Sequence, residues 1–211
     1  SNMLEHFGYR FSNEKDKLLR ELELAGICFL HAPLFHPAMK SVGPIRKELA
    51  LKTFFNMLGP MVNPAFPKYQ MVGVFNLELA RMYGYLYHNT DKTYSILNSL
   101  DGYDEISLTG ATKVIGNVVE AVLKPEDLGV HALEPEAIHG GNSVEEAAQI
   151  FLDVLQGRGT RAQQSVVCAN AGMAIATATG CSAREGFDKA HESLASGNAQ
   201  KAFKKLQALS A

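Results

Sequence analysis

Two short stretches of this 211-residue chain concentrate the residue types that can do chemistry. The first, residues 36–64, reads HPAMKSVGPIRKELALKTFFNMLGPMVNP. It interleaves His36, Lys40, Arg46, Lys47, Asn56 and Asn63 with prolines and glycines that fix backbone shape. Arg46 is suited to grip the carboxylate of a small acid, because a planar guanidinium makes two parallel charge-assisted hydrogen bonds where lysine offers a point charge. The plainer reading is a surface arginine paired with Glu48 or with solvent. On a helix starting near Pro37, His36 and Lys40 would share a face, but Gly43 and Pro44 would break that helix. His36 can equally be a partly buried, hydrogen-bonded histidine.

The second stretch is the run Asp101, Gly102, Tyr103, Asp104, Glu105, directly after an apolar segment. Carboxylates just past the carboxyl end of a parallel strand sit where open α/β sheets bind ligands. Hard oxygen donors of this kind suit Mg²⁺, which takes one or two carboxylates together with substrate phosphate and water. Adjacent Asp104 and Glu105 can each reach a different metal ion. The alternative is an acidic turn in which Gly102 supplies a positive φ. The chain has no GxGxxG opening a helix and no GxxxxGK[ST], and Gly140 and Gly141 stand alone before a helix start at Ser143. Serine, cysteine and histidine assemble into no nucleophile motif, so no residue is singled out as catalytic and covalent catalysis is not indicated. Cys28, Cys168 and Cys181 lie far apart without metal-ligand spacing and read as reduced, mostly buried thiols.

The elements that must position these residues follow from periodicity and punctuation. A helix is expected after Ser12 or Asn13, with Glu14 and Asp16 in its first turn and Gly26 ending it. Residues 27–30 form a short apolar run between Gly26 and Pro33, the pattern of a buried strand. Similar runs recur at residues 71–75 and 94–97. Between them Leu77, Ala80, Arg81, Tyr83 and Leu86 mark a helix weakened by Gly84, which gives the strand, helix, strand order of a parallel sheet. Residues 109–112 look like a hairpin turn that adds an antiparallel extension. Capping boxes start helices at Ser143 and Ser182. An alanine-rich helix over residues 166–177 carries Gly172 for close packing against a neighbouring backbone, and an amphipathic helix over 198–209 ends the chain.

Composition bounds the partners. Apolar residues make up 46% and charged residues 20%, the range of a folded globular chain, and about 70% of the unfolded surface can be buried if the chain forms one domain. The 20 basic and 22 acidic residues leave a net charge of −2, so no global positive field draws nucleic acid or anionic lipid. Neither a signal peptide nor an uninterrupted apolar span is visible, and the cytoplasm is the expected compartment.

With these residues in hand, residues 26–64 resemble the anthranilate phosphoribosyltransferase family signature almost end to end. The resemblance continues through DGYDE at 101–105, PEDLG at 125–129, the glycine pair at 140–141 and VVCANAGMAIA at 166–176. It implies a nucleoside phosphorylase/phosphoribosyltransferase-like α/β domain with a largely parallel sheet flanked by helices, spanning residues 1–211 and truncated at its amino end, with residues 36–50 packing toward a small helical domain. It implies Mg²⁺-dependent transfer of phosphoribosyl from phosphoribosyl pyrophosphate to the amine of anthranilate, in tryptophan biosynthesis. Arg46 would bind the anthranilate carboxylate, His36 would line the anthranilate route, Pro60 would contact the ring, and Asp104 and Glu105 would hold Mg²⁺. Two departures are Ala50 in place of the usual glycine and Lys52 where arginine is common, which touch only a secondary basic contact.

The family's GTGGD loop and KHGN segment, which place phosphoribosyl pyrophosphate, do not occur in these 211 residues. The chain alone is therefore expected to be inactive and its homodimer weakened. A pyrimidine nucleoside phosphorylase-like enzyme is the alternative within enzymes, opposed by the arginine of PIRKEL. A non-catalytic nucleic-acid-binding relative is the alternative outside them, opposed by the charge balance.

Overall fold

Alternation of apolar run, amphipathic stretch and apolar run builds the parallel part of the sheet. The computed structural model describes residues 1–36, 57 and 59–210. Strand β1 (Tyr69–Gly73) pairs in parallel with β2 (Thr93–Ser99) through the intervening helix α4 (Leu77–His88). Among the described residues, helices α1 (Asn2–His6), α2 (Lys15–Ala25) and α3 (Ala32–Phe35) precede β1. After β2 the chain turns back as β3 (Thr112–Gly116) and β4 (Ala121–Leu123), both antiparallel to their neighbours, in the order β1-β2-β3-β4. Helices α5 (Val144–Leu155), α6 (Arg161–Thr179), α7 (Ala183–Ala195) and α8 (Asn198–Ser210) complete the described chain.

The chain divides into two compact units: Ser1–Phe66 with Ser143–Ala148 and Ala199–Ala211, and Pro67–Asn142 with Gln149–Asn198. The second holds the sheet. Successive strand residues face opposite ways, and β2 shows it: Tyr94 sends its hydroxyl to the Gly84 carbonyl of α4, whereas Ser95 accepts from Thr177 Oγ1 of α6 at 2.8 Å. Helices thus cover both faces, and Ile96, Leu97 and Val114 between them are fully buried. Gly84 does not break α4. A Cβ there would lie 3.1 Å from Ile115 Cγ2, so glycine lets the helix settle on β3.

Several expectations need correction. The sheet is flanked by helices and carries the expected antiparallel extension, but among the described residues it is mixed and not largely parallel: β1 and β2 are parallel, joined by a helix, whereas β3 and β4 return antiparallel through loops. The hairpin turn lies at residues 117–120, not at 109–112. There the Asn117 side chain accepts from the Tyr94 N–H and donates to the Lys92 carbonyl, so the turn is built against the start of β2. Residues 27–30 are not a strand, and Phe29 instead packs edge-on against Tyr9 and Phe11. The alanine-rich helix starts at Arg161 rather than 166, capped by a Thr160–Gln163 box. Only Cys168 is buried, Cys28 and Cys181 being half-buried, and none of the three is in a disulfide.

The first unit is organised around Tyr9, Ala25 and Leu206, with Leu4, Phe11, Phe29 and Leu209 packed on them. The Tyr9 hydroxyl donates to the fully buried Glu21 at 2.7 Å, and Lys17 Nζ stands 3.7 Å from the other Glu21 oxygen. Burial pushes the Tyr9 phenol well above its ordinary range, and the hydrogen bond to Glu21 adds to it. In the second unit burial raises Tyr83 and Tyr94 and pushes Tyr87 up to about 12.

A phenol whose folded pKa exceeds its unfolded one, near 10, contributes stability that is present below pH ~10 and is lost as pH rises through the folded value. At pH ~11 the native chain should therefore show less phenolate absorbance at 295 nm than the same chain in urea, the deficit disappearing together with the far-ultraviolet helix signal. Equal absorbance in the two states at that pH would contradict the burial of these rings.

Candidate active site

The acidic segment lies in the loop that joins β2 to β3, at the carboxyl ends of the parallel pair β1 and β2. Backbone bonds fold it back on the strand that precedes it: the Ser99 N–H donates to the Tyr103 carbonyl at 3.0 Å, and the Gly102 N–H to the Ser99 carbonyl at 3.1 Å. Ser99 Oγ donates to the Glu105 carbonyl at 2.6 Å and meets Thr112 Oγ1 at 2.9 Å. The end of β1 supports the loop from the other side. A Cβ on Gly73 would stand 2.5 Å from the Asp104 carbonyl oxygen and 3.2 Å from Glu105 Cγ, so only glycine allows this approach. Buried Asn98 donates to the Val74 carbonyl at 2.8 Å, tying β1 to β2 at the same level.

The three carboxylates of the run divide into two kinds. Asp101 accepts from Thr109 Oγ1 and, at 3.4 Å, from Ser107 Oγ, and it lies against Gly110, so its charge is spent on holding its own loop. Leu108, buried between these two hydroxyl residues, has φ 62, a left-handed conformation rare outside glycine. Asp104 and Glu105 are exposed, and among the described residues their carboxylates take part in no hydrogen bond or ion pair. No group of three or more His, Cys, Asp or Glu side chains is gathered among the described residues. Two adjacent uncommitted carboxylates without a closed cage are a poor fit to a structural zinc or calcium site. They fit Mg²⁺, which completes its octahedron with water and substrate phosphate.

His36 and Pro60 belong to the first unit, Asp104 and Glu105 to the second. His36 Nε2 lies 2.9 Å from the Val62 carbonyl, so this nitrogen carries the proton and the ring is held against the 3-10 turn Gly59–Val62 that contains Pro60. Leu30, Phe35, His36, Val62 and Pro64 line a cavity of about 90 Å³ beside it. That is well below the roughly 300–1,000 Å³ of a small-molecule pocket. Arg46 falls outside the described residues.

Residue reasoning overlooked the groups that hold the acidic pair in place, Ser99, Gly73 and Asn170, and the two that occupy the Asp101 carboxylate, Ser107 and Thr109. One signal was available, since Asn170 is the lone carboxamide in an otherwise small and apolar stretch of α6. Its Oδ1 accepts from the Ile106 N–H at 3.0 Å and its Nδ2 donates to the Ile106 carbonyl at 2.8 Å.

A mixed sheet covered by helices, with uncommitted carboxylates at the carboxyl ends of its parallel strands, defines an α/β domain with a candidate ligand site at that end of the sheet. Residues 1–200 match the model of the glycosyl transferase family, a/b domain, and the chain belongs to that family. It is 62% identical over 210 residues to the anthranilate phosphoribosyltransferase of Flavobacterium johnsoniae, and 63% identical to that of Christiangramia forsetii. All of this chain is covered in both cases, and it spans 64% and 63% of those relatives' lengths. Among solved structures it is similar to anthranilate phosphoribosyltransferase from Thermus thermophilus, with TM-score 0.89 and 30% identity over 99% of this chain and 63% of that one. The Saccharomyces cerevisiae enzyme in complex with PRPP and Mg superposes with TM-score 0.79 at 26% identity, over 92% of this chain and 60% of that one. No single described helix is long and apolar enough to cross a membrane.

Proposed function

We propose that this chain is the α/β portion of an anthranilate phosphoribosyltransferase, transferring the phosphoribosyl group of PRPP to the amine of anthranilate in tryptophan biosynthesis in the cytoplasm. In that reaction the amine nitrogen forms a bond to the anomeric carbon as the bond from that carbon to pyrophosphate breaks, and the amine gives up a proton. The observation that carries the reading is the pair Asp104 and Glu105, uncommitted and fastened at the carboxyl ends of β1 and β2, in a chain 62% identical to an enzyme of that name.

Bound Mg²⁺ would neutralise the charge developing on pyrophosphate as it leaves. Asp104 and Glu105 would hold it, one carboxylate reaching each of two ions or both sharing one. Arg46 would take the anthranilate carboxylate in a two-pronged pair. His36, its Nε2 proton committed to the Val62 carbonyl, would stand with Pro60 along the path of the aromatic ring. Such a site works by positioning and charge, and it needs no nucleophilic side chain. The 211 residues would act within a homodimeric enzyme whose remaining portion supplies the rest of the phosphate site. Taken alone they would turn nothing over and would associate weakly.

The test follows loss of anthranilate fluorescence in the natural gene product carrying this sequence, supplied with PRPP and Mg²⁺. Consumption that stops on chelation of Mg²⁺ is expected, with none from the isolated 211 residues. A gene product that leaves anthranilate unchanged under these conditions would overturn the reading, and turnover by the isolated chain would overturn its inactivity.

A further inference from the structure

We infer that Asn170 is a positioning residue for the acidic pair, setting from helix α6 the direction in which Asp104 and Glu105 present their carboxylates to a divalent cation; this rests on the metal role proposed above. The geometry is specific. The carboxamide engages both the N–H and the C=O of one residue, Ile106, at 3.0 and 2.8 Å, the pairing a neighbouring strand residue would make. Its Nδ2 also donates to the Val166 carbonyl one turn earlier at 3.0 Å, which fixes the carboxamide plane relative to the helix. Ile106 is buried and follows Glu105 directly, so its peptide orientation sets that of the acidic pair.

Ser99 Oγ holds the carbonyl end of the same Glu105–Ile106 peptide, and on the far side of the pair the Ser99 N–H donates to the Tyr103 carbonyl. Gly73 sits against the Asp104 carbonyl. Among the described residues, every backbone anchor of the pair except the Ile106 clamp therefore comes from the sheet, and Asn170 is the one that ties the pair to a helix. Partners that orient metal ligands without touching the metal typically contribute about 10- to 100-fold in metal affinity.

Tb³⁺, an oxygen-seeking probe excited through nearby tyrosine, reports the site without turnover; Tyr103, half-exposed beside Asp104, is the expected donor. In the natural gene product, saturable Tb³⁺ emission should be lost in the double variant Asp104→Asn, Glu105→Gln. Asn170→Ala should weaken Tb³⁺ binding by about 10- to 100-fold, and Asn170→Gln, which keeps the carboxamide but displaces it by one methylene, should weaken it as well. Thr177→Val is the control. It removes a buried hydrogen bond from the same helix to Ser95, away from the loop, and should lower the melting temperature while leaving Tb³⁺ affinity as in the unaltered protein.

Unaltered affinity in either Asn170 variant overturns the inference, as does an equal loss in Thr177→Val, since the effect would then be general loosening. Absence of saturable emission from the unaltered protein, or its survival in the acidic double variant, instead overturns the metal role itself and takes the inference with it.

Discussion

Gly172→Ala is expected to lower the melting temperature by on the order of 10 °C, although alanine is ordinarily the better helix former by about 1 kcal/mol. Helices α6 and α7, bent by 118° at residues 180–182, meet backbone to backbone at Gly172 and Gly186. A Cβ at 172 would lie 2.5 Å from the Phe187 nitrogen and 2.6 Å from its Cα, and a Cβ at 186 would lie 2.1 Å from the Gly172 carbonyl oxygen. None of these atoms can rotate away, so the helices must separate and loosen Met173, Ala176, Phe187 and Ala190, all buried in the same region.

Overpacking typically costs 1–3 kcal/mol where side chains can yield, and here only backbone can move, so about 3 kcal/mol is expected. For a chain of this size each kcal/mol shifts the midpoint by roughly 2–4 °C. Ala174→Gly, at an exposed position of the same helix, should by contrast lose only about 1 kcal/mol. Differential scanning fluorimetry on both variants decides it: a Gly172→Ala protein that melts with or above the unaltered chain would contradict the close crossing.

The second large effect is on turnover. Replacing Asp104 by Asn and Glu105 by Gln together should reduce kcat/KM of the gene product by about 10³, roughly 4 kcal/mol of lost charge stabilisation, and raise the Mg²⁺ concentration needed for half-maximal rate. Because both side chains are exposed and uncommitted, the melting temperature should move by no more than about 2 °C. Rates measured across a Mg²⁺ series, beside a thermal melt, separate the two effects. An undiminished rate at low Mg²⁺ would remove the pair from the metal site. A rate lost together with stability would make the pair structural.

How much of this was legible in the residues depended on how local each signal was. Helix α2 was readable because its stop is a single glycine, Gly26, at φ 76. The β1-α4-β2 unit was readable because two apolar runs flank one helical stripe. Gly172 was singled out for close packing, and the partner it required proved to be Gly186, 14 residues on and indistinguishable in sequence from any other glycine. The misplaced hairpin shows the converse. Residues 109–112 have turn composition, but Thr109 and Gly110 serve the Asp101 carboxylate, while the turn that forms depends on Asn117 reaching back to β2.

Residues 27–30 illustrate the same limit, since an apolar run says that side chains are buried and not whether its backbone finds a strand partner. At the site, adjacency in sequence delivered Asp104 and Glu105 as a pair. That Asp101 is committed and they are not could be seen only once the Ser107 and Thr109 hydroxyls were placed.

The reach of Asn170 across 64 residues has a consequence for synthesis. A chain emerging at roughly 5–20 residues per second has made the acidic loop some three to thirteen seconds before the clamp that orients it exists. Over that interval Ile106, buried in the finished fold, is an apolar residue waiting for its cover on a nascent chain, within reach of holdase chaperones. Codon usage between positions 106 and 170 should therefore bear on the yield of native protein.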